Sequence, residues 1–80
     1  MKDELIDVHA IAYMSNGNYE FKLVEAPPVN VDAYAKVIEP MGDGQQLVLW
    51  VPEGMPGEMA QNLATHFVPQ VRNMLHPVEG

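Results

Sequence analysis

Asp7 and His9 are the residues whose types and spacing come nearest to chemistry. Two positions apart on a strand they share a face, where a carboxylate beside an imidazole can prepare a general base or part of a metal site. Tyr13, further along the same face, would complete a small pocket if a second copy closed over it. The commoner fate of such a strand pair is an ordinary surface contact. His66 and His76 are the other two histidines. On a helix they stand about 80° apart and two to three turns apart in height, so they cannot share a metal.

Other catalytic arrangements are missing their parts. The chain has no cysteine, which excludes a thiolate nucleophile, a thiolate metal site and a disulfide framework. Ser15 is the sole serine and falls at a predicted turn, and Thr65 falls on the polar side of a predicted helix. Gly42-Asp43-Gly44 and Gly54-Met55-Pro56-Gly57 lack the lysine and the spacing of a phosphate-binding loop. Glu53 and Glu58 flank the second of them and would repel an anion at the helix start. Asp43 and Glu39 do not match a calcium loop. The expectation is a non-enzymatic protein without metal or cofactor.

Composition bounds the partners. Eighty residues, 48% of them hydrophobic, make one domain with a real core. The net charge of −7 reflects few bases, namely Lys2, Lys22, Lys36 and Arg72, scattered along the chain. Phosphate backbones require clustered cations, so direct nucleic-acid binding is not expected. The N-terminus lacks the apolar core of a signal peptide, and no apolar run approaches the ~20 residues of a membrane span. A reducing cytoplasm fits the absence of cysteine.

The elements that position these residues are legible as pattern. Residues 5–14 alternate Ile6, Val8, Ala10, Ala12 and Met14 against Leu5, Asp7, His9, Ile11 and Tyr13. Asn16-Gly17 is a tight hairpin turn, and 19–25 returns with Tyr19, Phe21 and Leu23 on one face until Pro27-Pro28 stops it. Residues 32–39 read as a strand, with a short helix capped by Asn30 as the competing form. Pro40 to Gly44 has turn chemistry, and 46–51 is a strand apolar on both faces, the mark of a central or doubly covered position. Residues 57–76 form an amphipathic helix whose apolar half-circle holds Met59, Ala60, Leu63, Ala64, Phe67, Val68, Val71, Met74 and Leu75. Pro69 lies on its polar side, where it bends the helix or breaks it in two. Residues 77–80 should fray.

The fold expected is α+β: two hairpins forming a four-stranded antiparallel sheet, in the order β-β-β-β-α, with the C-terminal helix across one face. Ala10, Ala12, Ala33 and Ala35 would admit the helix closely. The other face would then carry Leu5, Ile11, Tyr13, Tyr34 and Ile38, together with either Trp50 or the Leu47-Leu49-Val51 row. No second helix covers it, and an apolar patch of that size marks an interface. The function expected is a small acidic protein-interaction module, homodimeric, that docks on another, basic protein as an inhibitor, adaptor or regulatory subunit. Size and charge suggest one specific form, a phage or bacterial inhibitor of a nucleic-acid-binding protein. The interface residues would be Ile11, Tyr13, Tyr34, Ile38 and Trp50. The alternative is a small-ligand binder or minor enzyme using Asp7 and His9 at a dimer interface.

Overall fold

A computed structural model describes residues 5–42 and 44–75. Its elements are β1 (Ile6–Ser15), β2 (Asn18–Val24), a 3-10 turn (Val31–Ala33), β3 (Tyr34–Gly42), β4 (Gln45–Pro52) and α1 (Gly57–Leu75). The chain is α+β, with one four-stranded sheet and a C-terminal helix. The sheet order is β2-β1-β4-β3.

Both hairpins form. Asn16 (φ 52°) and Gly17 (φ 83°) supply the two positive angles of a two-residue turn, and β1 and β2 pair antiparallel from Ser15–Asn18 to His9–Val24. β3 and β4 also pair antiparallel, from Tyr34–Pro52 to Gly42–Gln45. The hairpins join through β1 and β4, which run parallel with Ile6 beside Gln45 and Ile11 beside Trp50. The sheet is therefore mixed, not wholly antiparallel. The cause lies in β4: with Leu47 to Val51 all buried, it gains most where both edges are paired and both faces covered. Residues 25–33 carry the chain from the β2 edge to the β3 edge.

Three local expectations are corrected. The segment beginning near residue 32 is first a 3-10 turn, and the strand starts at Tyr34; Asn30 makes no side-chain cap. Ala33 consequently lies outside the sheet and is exposed. Pro40, Met41 and Gly42 belong to β3 rather than to a turn, with a bulge between Pro40 and Gly42 that leaves Met41 buried. The readings at Asp43, His76 and the 77–80 tail lie outside the described residues.

α1 crosses the face formed by Ala10, Ala12, Leu47, Leu49 and Val51. It buries Ala60, Ala64, Phe67 and Val71, a 4-3-4 spacing that returns to one side of a helix. Near its start Gln61 Nε2 donates to Glu39 Oε1 of β3, and further along Phe67 packs on Phe21 of β2 with ring centroids 4.8 Å apart. The helix thus spans the sheet from one edge strand to the other. It continues unbroken through Pro69, which faces solvent. The buried stripe is narrower than the sequence arc: Met59 and Met74 remain 41% and 56% exposed.

This asymmetry within one apolar arc can be measured. Phe67→Ala should destabilise the protein by about 3–5 kcal/mol, whereas Met74→Ala should change stability by about 0.5 kcal/mol or less. Urea unfolding followed by circular dichroism separates the two. Equal losses would mean that the helix packs in another orientation.

Candidate interaction surface

The side chains opposite the helix are set in rows by strand register. Lys36 of β3 faces Trp50 of β4, Trp50 neighbours Ile11 of β1, and Ile11 faces Lys22 of β2. The next row is Ile38, Val48, His9 and Val24, and beyond it stand Pro40, Gln46 and Asp7. Tyr34 lies above Lys36, and Tyr13 above Ile11, since alternate residues of a strand share a face. All five residues expected at an interface, Ile11, Tyr13, Tyr34, Ile38 and Trp50, therefore lie on one face, and so do Asp7 and His9. Trp50 is on this side, and the Leu47-Leu49-Val51 row is under the helix.

The five differ in exposure. Trp50 is only 7% exposed and Val48 only 2%, so they form the floor of the surface. Tyr13 and Ile38 stand proud at 40% and 45%, with Ile11 and Tyr34 between these extremes. Ile11, Tyr13, Lys22 and Tyr34 line a shallow depression of about 420 Å³. A second trough, of about 340 Å³, lies between the β2 edge and the helix, along Tyr19, Phe21, His66 and Gln70.

Neighbouring strands hold the floor in place. Trp50 Nε1 donates to His9 Nδ1 at 3.3 Å, the two rings stack with centroids 6.3 Å apart, and the Lys36 ammonium sits 5.7 Å from the centre of the Trp50 ring. Because Nδ1 accepts this bond, the neutral imidazole carries its proton on Nε2. Asp7 Oδ1 accepts from Gln46 Nε2 at 2.7 Å. Asp7 and His9 thus share a face, but each is tied to β4, which gives both a supporting position. Among the described residues no three His, Asp or Glu side chains converge as metal ligands.

No protein-family model, curated protein or solved structure matches this chain. The chemistry of the open face is an aromatic and aliphatic centre between two lysines, with Asp7 and Glu20 at its margins; Glu20 accepts a 3.4 Å bond from the Tyr13 hydroxyl. Sequence reasoning found the apolar members from their alternation. It missed Lys22, Lys36 and Gln46, which become neighbours of these residues only through cross-strand register.

Trp50 is the single tryptophan, so its fluorescence reports this face alone. His9→Ala should red-shift its emission, increase its quenching by acrylamide and destabilise the fold by about 1 kcal/mol through the lost hydrogen bond. An unchanged spectrum would mean that His9 does not shield the indole.

Proposed function

We propose that this chain is a small, acidic, non-enzymatic interaction module that associates with a second copy of itself and docks another protein through the open face of its sheet. The observation that carries the reading is the placement of Ile11, Tyr13, Tyr34 and Ile38 around the pinned Trp50, on a face that no helix among the described residues covers. Fixed aromatic and aliphatic contacts of this kind supply most of the energy at protein interfaces. Holding Trp50 against His9 and Lys36 reduces the ordering cost of binding.

Binding would occur by burial of the projecting Tyr13 and Ile38 against the partner, with the depression beside Tyr34 receiving a partner side chain. The net charge of −7 favours a basic protein and speeds its approach. Lys22 and Lys36 stand on the docking face itself, so this selection comes from the field of the whole molecule rather than from an acidic rim. An inhibitor, an adaptor and a regulatory subunit all act by such docking, and a phage or bacterial inhibitor of a nucleic-acid-binding protein is one form of it. Cytoplasmic residence belongs to the same proposal. No helix among the described residues is long and apolar enough to cross a membrane. The ligand-pocket alternative asks Asp7 and His9 to act on a substrate, whereas their contacts with Gln46 and Trp50 favour a supporting role.

Tyr13→Ser with Ile38→Ser tests the docking surface, because both side chains are exposed and can be shortened without opening the core. The immobilised wild-type chain should retain a defined partner from lysate, and the double variant should retain it about tenfold less or weaker. Equal retention by a folded double variant would place docking elsewhere.

A further inference from the structure

The two edges of the sheet are not equivalent. β3 is blunted: Pro40 has no N–H to offer, the bulge between Pro40 and Gly42 breaks the ladder, and Glu39 is engaged by Gln61 of the helix. β2 has neither proline nor bulge and stays in unbroken register with β1 through all seven of its residues. A two-residue turn closes on a hydrogen-bonded pair, here Ser15 and Asn18, and bonded and non-bonded pairs alternate beyond it. Asn18, Glu20, Lys22 and Val24 therefore direct their backbone groups toward β1. Tyr19, Phe21 and Leu23 direct theirs outward, along an edge that no described strand occupies.

The sequence of that edge is complementary to itself. Antiparallel pairing of β2 with β2 of a second copy about Phe21 sets Phe21 against Phe21, Tyr19 against Leu23, and Asn18 against Val24. It also sets Glu20 against Lys22, twice, as a two-fold axis requires. The three outward residues fall at hydrogen-bonded pairs, which gives six intermolecular backbone bonds. Glu20 and Lys22 fall at non-bonded pairs, where side chains approach most closely and opposite charges attract. On the helix side, the trough beside Tyr19, Phe21, His66 and Gln70 provides space for the incoming Tyr19 and Leu23.

The geometry points to β2 as a self-pairing edge: two copies join through Asn18–Val24 into one eight-stranded sheet, with Glu20–Lys22 pairs fixing the register. This supplies the self-association of the proposed module and rests on that part of it, but its contact line is the backbone edge of β2, whereas docking centres on Trp50; Glu20 and Lys22 stand at the margin of the open face where the two meet. The open faces of both copies remain free on the same side of the joined sheet.

The test is solution mass of the full chain by sedimentation and light scattering over a concentration series. Wild type should be dimeric. Glu20→Lys and Lys22→Glu should each weaken the dimer about tenfold or more, since each turns two attractive pairs into repulsive ones. An equimolar mixture of the two variants should restore a dimer, because each then meets its opposite charge. Both variants remain strongly acidic overall, so generic attraction cannot drive the mixing. Ile38→Ser, on the opposite edge strand, should leave the mass unchanged; its effect on partner capture reports the docking reading separately. A wild-type monomer at every concentration, a dimer indifferent to either reversal, or variants that stay monomeric when mixed would each overturn edge pairing.

Discussion

The parallel contact between β1 and β4 is the constraint on which the molecule depends. Two hairpins in sequence can meet through β2 and β3, giving an antiparallel meander with β4 at its edge. That arrangement would leave Leu47 to Val51, apolar on both faces, with one row of backbone groups in solvent and little beyond it to shield the side chains. Pairing β4 with β1 instead completes both of its ladders. It also puts Leu47, Leu49 and Val51 beneath the helix and surrounds Val48 and Trp50 with side chains from β1 and β3. The slight weakness of parallel pairing is offset by this burial.

Much else follows from that junction. It makes β2 and β3 the two edges and requires residues 25–33 to span the sheet. It lines up Lys36, Trp50, Ile11 and Lys22 across four strands, so residues from distant parts of the chain form one surface. It also brings His9 against Trp50 and Asp7 against Gln46, which converts the most reactive-looking pair in the sequence into supports for the centre of that surface. Helix and floor are thus arranged around a single strand, and the proposed self-pairing edge, β2, lies beyond β1 from it, away from the centre of the docking surface.

Elements whose signals are local were legible in the sequence. Asn16-Gly17 marked its hairpin, alternation marked β1 and β2, and the helical periodicity of 57–75 survived Pro69 because that residue faces solvent. Strand neighbours were harder, because alternation states which residues share a face and is silent about which strand lies alongside. The double-sided apolar character of β4 was the available signal: a last strand that must be central cannot end a simple meander. The same character concealed which of its rows faces the helix, since Leu47-Leu49-Val51 and Val48-Trp50 are equally apolar. Residues 31–39 supported both strand and short helix, because Val31 to Ala33 also alternate; the chain uses each in turn, a 3-10 turn at Val31–Ala33 and then the strand from Tyr34. The symmetry of Glu20 and Lys22 about Phe21 was in plain view, but it acquires meaning only once β2 is known to be an edge.

Amide hydrogen exchange resolved by residue tests the central position of β4 most directly. With both ladders complete, the N–H groups of Leu47, Val48, Leu49, Trp50 and Val51 should all exchange slowly, and uniformly so, among the slowest in the protein. Fast exchange at every second residue of that run would put β4 at an edge and contradict the sheet order on which both surfaces depend.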